Sequence, residues 1–272
     1  MLFARPDTLT QAIALRAQGC RVLAGGTDLY PGAGDQLSGD VLDLTAIPAL
    51  RGITAGPDGL RIGSCTTWSD LAEATLPPAL IALQQAARQV GGRQVQNAGT
   101  LGGNLCNASP AADGVPPLLA LEAAVELTGP EGARSLPLAE FITGPRRTAL
   151  AQGEILTAIT LPSRALSGRS AFVKLGARAH LVISIAMVAA RISLEQGRIV
   201  QAALAVGSCG PVACRLPQLE AAIIGLTLPE ALDQITPAAL DALSPIDDIR
   251  ATAAYRREAA AELVRRAVTE AA

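Results

Sequence analysis

Aromatic side chains are nearly missing from this chain, at 2% of 272 residues. That scarcity argues against a stacking platform for nucleic-acid bases and against an aromatic ligand cage. A flat ligand would have to rest on backbone and aliphatic groups. Histidine occurs once, at His180. A zinc hydrolase would need more ligands of that kind. No Ser-His-Asp signature, Gly-x-Ser-x-Gly elbow or metal-spaced His/Cys/Asp set is visible, so no catalytic residue and no metal ligand is assigned. The five cysteines, Cys20, Cys65, Cys106, Cys209 and Cys214, make no Cys-x-x-Cys pair. An odd count without a framework predicts reduced thiols in a cytoplasmic protein. Strong charge is also missing: the net value is -2 and the pI about 5.5, with basic residues scattered. No nucleic-acid footprint results. Apolar runs stop short of membrane-spanning length, so no membrane span is expected. The start, Met1-Leu2-Phe3-Ala4-Arg5-Pro6-Asp7, lacks the basic region and apolar run of a signal peptide.

What the chain does have is apolar bulk. Half of its residues are hydrophobic and 17% are charged. A chain of this length buries a sizeable core and divides into two or three parts. Thr8-Leu-Thr-Gln11 has capping-box spacing and opens a helix that Gly19 stops. Short strands are expected at 20–24, 41–44 and 59–63. Thr67 caps a helix beginning at Trp68, and a second helix runs over 79–90 to Gly91-Gly92. A glycine-rich stretch over 98–104 follows as a loop, then a buried helical turn over 116–121. Strands are expected at 125–127, 155–161, 170–175 and 199–206. A strand is also expected over 182–194, whose stretch 183–192 could equally be a buried helix on periodicity alone. Residues 162–169 read as a linker. Helices are expected near 218–224 and over 249–270, the latter with opposite charges three to four residues apart. Helices alternating with strands, then a late run of strands, give an α+β class.

Two glycine pairs stand out. Leu23-Ala-Gly-Gly-Thr-Asp-Leu29 follows a strand directly. Glycine permits positive φ and close approach, and successive amides in such a turn make an anion-binding nest. Read from the residues alone, the loop serves equally as a turn with no ligand. Thr100-Leu-Gly-Gly-Asn104 repeats the pattern, with a hydroxyl and an amide side chain at its flanks. Two such loops can face each other across one diphosphate. Neither fits the Gly-x-Gly-x-x-Gly fingerprint or a P-loop. Asn104-Leu-Cys-Asn-Ala-Ser-Pro-Ala-Ala-Asp113 adds polar groups beside a buried segment, and these need partners. A ligand would supply them, and so would helix capping, with Asp113 as N-cap. Cys106 has no visible base and is expected to pack as a small residue.

Taken together, Ala24-Gly-Gly-Thr-Asp28 and the run from Thr100 to Asp113 resemble the flavoprotein subunit of the xanthine dehydrogenase and carbon monoxide dehydrogenase family. Glu154-Ile-Leu156 resembles the family's segment over the flavin. Phe172-Val-Lys-Leu-Gly-Ala-Arg178 resembles its lysine-bearing strand, and Asp248-Ile-Arg-Ala-Thr-Ala-Ala-Tyr-Arg-Arg257 the opening of its C-terminal helix. The resemblance implies a two-subdomain FAD-binding fold of the vanillyl-alcohol oxidase type, at 1–55 and 56–165, and a C-terminal flavoprotein domain at 168–272. It implies that Leu23, Ala24, Gly25, Gly26, Thr27, Asp28 and Leu29, with Thr100, Leu101, Gly102, Gly103 and Asn104, carry the FAD diphosphate. Asp113 would bind cofactor hydroxyls. Val90 and Leu156 would pack on flat groups, and Lys174 would sit near the flavin. From the residues alone, Lys174 reads as a solvated strand residue.

The implied partners are a small subunit with two [2Fe-2S] clusters and a large molybdopterin subunit, in a heterotrimer or its dimer. Electrons would pass from the clusters to FAD and on to an external acceptor. Two other readings are a stand-alone FAD-dependent oxidoreductase and a non-flavin interaction subunit with the same fold. Many relatives carry Asp-Ile-Ala after the lysine strand, where this chain has His180-Leu-Val-Ile-Ser184. Cys209 and Cys214 lack the spacing of an iron–sulfur loop, so no cluster is expected here.

Overall fold

The computed structural model describes residues 2–34, 37–179 and 181–272. The first layer holds β1 (Phe3–Ala4), α1 (Leu9–Ala17), β2 (Arg21–Leu23) and β3 (Val41–Asp43). Thr8 caps α1 by accepting the Gln11 amide at 3.4 Å, and Gly19, at φ +94°, ends it. β1 and β2 both run parallel to the central β3. Ala12, Leu42, Leu44, Ile47 and Leu50 fill the small core beneath.

The second layer starts with β4 (Ile53–Gly56) and β5 (Gly59–Gly63). Five helices follow: α2 (Trp68–Glu73), α3 (Ile81–Gln89), α4 (Arg93–Ala98), α5 (Leu101–Asn107) and α6 (Val115–Ala120). Then come β6 (Ala124–Gly129), β7 (Gly132–Pro137), α7 (Leu138–Phe141), β8 (Ile142–Gly144), β9 (Arg147–Thr148) and β10 (Ile155–Pro162). An antiparallel sheet forms in the order β4-β5-β10-β6-β7. Strand alternation sorts its faces. Ile62, Val125, Leu127 and Ile159 join Trp68, Leu83 and Leu105 in the main core, while Ala124, Glu126 and Thr128 point outward. Thr67 and Asp70 close a reciprocal capping box on α2, which fixes where Trp68 enters that core.

The third layer is an antiparallel sheet of β11 (Arg169–Leu175), β12 (Ala186–Glu195), β13 (Arg198–Gly207) and β14 (Cys214–Arg215). α8 (Pro217–Ile223), α9 (Leu228–Gln234) and α10 (Ala253–Ala271) follow it. The run 183–192 is strand from Ala186 onward, with no helix in it. β12 is covered on both faces, which explains an apolar run without alternation. On one face Val188 and Ala190 pack against α10 through Ala260, Val264 and Val268. On the other, Met187 and Ala189 meet Ala82 and Ala86 of α3 and Ala120 of α6, with Phe172 between. Alanines on the facing helices let sheet and helix layers approach closely. The sheets and helices together make the expected α+β architecture.

Among the elements that escape the sequence pattern are β4, β7 and α9. β7 is an edge strand whose residues are almost all exposed, so it has no buried face to leave a period.

Candidate functional site

β2 ends at Leu23, and the chain turns through residues 24–29. Gly26 sits at φ +71°, and a Cβ there would come within 2.3 Å of the Tyr30 ring. A Cβ on Gly25 would stand 2.0 Å from the Ala98 carbonyl oxygen. Both glycines are thus demanded by the chain's own packing, which lays this loop against the segment 98–99. The amides of Gly25, Gly26, Thr27, Asp28 and Leu29 meet no acceptor among the described residues. Asp28 accepts from Asn107 Nδ2 at 2.8 Å, and Asn107 Oδ1 is in turn held by Arg146. That relay ties the loop to the end of α5.

The second glycine pair is not a loop, contrary to the sequence expectation. Thr100 caps α5 by accepting the Gly103 amide at 3.1 Å. The amides of Leu101 and Gly102 donate to the carbonyls of Thr66 and Ser64 at 3.0 and 2.8 Å. Gly102 is bare because a Cβ would fall 2.7 Å from Ser64. The helix thus begins pressed on the strand-end segment 64–66, with its leading amides already engaged. Leu101 is fully buried in the main core, because an apolar side chain in that first turn faces the sheet.

Both stretches line one cleft of about 530 Å³. Of the residues expected to hold a cofactor, Leu23, Ala24, Gly25, Gly26, Thr27, Asp28, Leu29, Val90, Thr100, Gly102, Gly103, Asn104 and Leu156 line it, and Leu101, Asp113 and Lys174 do not. Val90 closes the end of α3, where its carbonyl accepts from Gln96 at 3.2 Å. Leu156 stands where the β10–β6 ladder is irregular, between Leu156 and Ala158. Beside it, Glu154 is locked by Arg134 at 2.7 and 2.8 Å and by the Ala151 amide. The Arg134 bond holds its carboxyl below the usual range.

Asp113 and Lys174 are instead joined to each other. Lys174 Nζ donates to Asp113 Oδ2 at 2.6 Å, and Ser184 Oγ donates to Oδ1 at 2.7 Å. The paired side chains are 7% and 9% exposed, so Lys174 is not a solvated strand residue. Nor is Asp113 an N-cap: Gly114 holds that position on α6. Burial pushes the Asp113 carboxyl up, and Lys174 and Ser184 pull it back. The next residue, Gly114, abuts Trp68 and Asn104, where a Cβ would come within 2.6 and 3.0 Å. Asp113 is thus followed directly by a residue packed on two cleft-lining side chains. His180 lies outside the described residues.

Of the polar cleft residues, Ser64 carried no assignment in the sequence, whereas Asn104 carried one. Ser64 Oγ and Asn104 Oδ1 are buried without a hydrogen-bond partner among the described residues, and both belong to the cleft lining. The polar run Ser64-Cys-Thr-Thr67 before a capping box was the available signal for Ser64. Arg16 and Arg21 also line the cleft, and single arginines in a helix and a strand leave no signal. A larger concavity, about 820 Å³, lies on the outer face of the five-stranded sheet. Its arginines Arg61, Arg164 and Arg215 are all paired, with Glu126, Glu122 and Glu220. Size alone therefore does not mark the site; the unpartnered atoms of Ser64 and Asn104 favour the smaller cleft.

Comparison with known proteins gives a consistent result. Residues 1–164 match the family described as "FAD binding domain in molybdopterin dehydrogenase". Residues 171–271 match the "CO dehydrogenase flavoprotein C-terminal domain". The chain is 33% identical over 277 residues to a putative xanthine dehydrogenase FAD-binding subunit of Escherichia coli K12, covering 98% of this chain and 94% of the relative. It is 31% identical over 278 residues to the carbon monoxide dehydrogenase medium chain of Afipia carboxidovorans, covering 98% and 95%. Among solved structures, reconstituted CO dehydrogenase from Oligotropha carboxidovorans superposes with a TM-score of 0.90 at 29% identity, over 100% of this chain and 97% of that one.

Proposed function

The chain belongs to the family of FAD-binding subunits of molybdopterin dehydrogenases, and from that premise we propose that its 530 Å³ cleft holds the FAD of an electron-transfer complex. It is an oxidoreductase subunit, and FAD is its cofactor. The observation that carries the siting is the row of unengaged amides at Gly25, Gly26, Thr27, Asp28 and Leu29. Successive amides in a turn bind anionic oxygens, and a diphosphate is the part of FAD that needs them. Ser64 Oγ and Asn104 Oδ1, buried and unpartnered, supply further polar contacts. The cleft also has the size and mixed lining of a ligand site.

Each residue then has a task. Thr27 offers a hydroxyl beside the amides. Asp28 fixes the loop through Asn107. Thr100, Gly102 and Gly103 set the opposing wall by starting α5 flush against Ser64. Val90 and Leu156 provide apolar surface for flat groups and help to exclude water. Asp113 and Lys174 brace that wall from behind through their ion pair. Residues 1–55 and 56–165 are assigned as the two parts clasping the cofactor, and 168–272 as the part covering the flavin edge.

Bound there, FAD supplies the chemistry that links one-electron carriers to an external acceptor. We assign the electron source to the [2Fe-2S] clusters of a small partner subunit, fed by a large molybdopterin subunit where substrate is oxidised. A heterotrimer or its dimer, in the cytoplasm, is the assembly this implies. No helix among the described residues is long and apolar enough to cross a membrane. Purification tests the assignment. A yellow chain with one FAD per chain that brings down iron and molybdenum subunits supports it. A yellow chain that turns over a substrate alone favours the stand-alone oxidoreductase. A colourless folded chain that binds no added FAD overturns the flavin assignment.

A further inference from the structure

An anionic dinucleotide needs more than one row of amides. The leading amides of α5 are engaged by the chain itself, and Lys174, the one lysine in the sequence, is closed into its pair with Asp113. Two cations do line the cleft, Arg16 and Arg21. Neither has a carboxylate within ion-pairing distance among the described residues. Arg16 stands in the last turn of α1. Its Nη1 donates to the Cys20 carbonyl at 3.0 Å and its Nε to the Glu154 carbonyl at 3.3 Å. Two carbonyls from different elements thereby set the plane of the guanidinium, while Nη2 has no acceptor among the described residues. The neighbouring Glu154 carboxylate is turned to Arg134, so it does not cancel the charge of Arg16.

A planar guanidinium held at one edge and free at the other suits two ligand features. It forks onto phosphate oxygens, and it lies flat on a purine ring. The second property matters in this cleft, because among the described residues the one aromatic side chain lining it is Trp68, which is 2% exposed. We propose that Arg16, supported by Arg21, seats the adenosine diphosphate half of the cofactor and so makes the cleft prefer FAD to flavins that lack that half. The inference rests on the FAD reading of the cleft and adds to it the residue that recognises the nucleotide end.

Isothermal titration of the full, flavin-stripped chain tests this, with FAD as ligand and ADP as the competing probe. In the wild type, ADP displaces FAD. Arg16→Gln weakens both FAD and ADP by about tenfold, the loss expected for a charged hydrogen-bonding pair. Arg16→Lys recovers part of the loss, because it restores charge without the fork. Arg16→Gln loses its two bonds to the Cys20 and Glu154 carbonyls and melts lower, so titrations are run at a temperature where wild type and variants are all fully folded. If Arg16→Gln does not fold, the exposed Arg21→Gln takes its place, with a smaller shift in the same direction. Binding of FAD and ADP by Arg16→Gln within about twofold of wild type overturns the inference. So does a wild type that binds FAD without competition from ADP. A wild type that binds no FAD sinks the underlying reading instead.

Discussion

The cleft loop and the Asp113–Lys174 cluster draw on similar chemistry yet end in opposite states. In the loop, the amides from Gly25 to Leu29 have no acceptor among the described residues. In the cluster, Asp113 has a partner on each oxygen, at 2.6 and 2.7 Å. The difference separates groups left open at the cleft, to which we assign the ligand, from groups already engaged by the fold. The loop amides are half-buried or exposed and open to the cleft, while Ser64 Oγ and Asn104 Oδ1 beside them are buried and unpartnered among the described residues, which is unusual unless something is bound there. The first turn of α5 belongs with the satisfied group, despite a glycine pair like the loop's own.

The largest effect should come from breaking the satisfied cluster. Lys174→Met leaves Asp113 buried without its counter-charge, and such losses run to about 3–5 kcal/mol. Urea unfolding should show that loss, and Asp113→Leu added to Lys174→Met should restore much of it, because an apolar pair of similar volume replaces the ions. A single variant as stable as wild type would mean that the pair does not brace the wall.

Next comes the contact that joins the two glycine stretches. Gly25→Ala drives a methyl to 2.0 Å from the Ala98 carbonyl oxygen, and overpacking of that kind costs about 1–3 kcal/mol. Stability and FAD content should fall together. Loss of FAD with full stability would instead mean that Gly25 is kept bare for the ligand alone.

Thr27→Ala and Asn104→Ala should do the opposite. Neither Thr27 Oγ1 nor Asn104 Oδ1 has a hydrogen-bond partner among the described residues. FAD affinity should drop by about tenfold in the pair of substitutions, equivalent to about 1.4 kcal/mol, with the urea midpoint unmoved. Fluorescence titration measures the first and denaturation the second.

The smallest effect marks the far side of the comparison, at a satisfied group remote from the cleft. Asp248 accepts the amides of Arg250 and Ala251 and pairs with Arg256 Nη2 at 2.7 Å. The Arg250 amide bond leads in lowering its carboxyl to about 2, with the Arg256 bond also contributing. A depressed carboxyl stabilises the fold above its ordinary value and loses that contribution as pH falls through about 2. Wild type should therefore exceed Asp248→Asn in stability at neutral pH, and the gap should close in acid. FAD affinity should be equal in the two at neutral pH.

Much of the scaffold was legible in the sequence. Thr8 and Thr67 announced their helices through capping spacing, and Gly19 and Gly91 announced their ends. What stayed hidden depended on distant neighbours. β12 gave no helix-or-strand signal because α10 covers one face and α3 the other. The loop expected at 98–104 resolved into helix ends because Thr100 and Ser64 capture amides that glycine spacing alone left free. Asp113 and Lys174 are 61 residues apart in sequence, and their pairing left no local trace. The family resemblance placed both near the cofactor. In the fold they are bonded to each other and are not among the residues that line the cleft.

Amide hydrogen exchange of the full chain, with and without saturating FAD, tests the central distinction most directly. The account predicts that the amides of Gly25, Gly26, Thr27, Asp28 and Leu29 exchange quickly in the free chain and become protected with FAD, while those of Leu101, Gly102 and Gly103 are protected in both states. Unchanged exchange in the loop, or new protection confined to Leu101–Gly103, would contradict it.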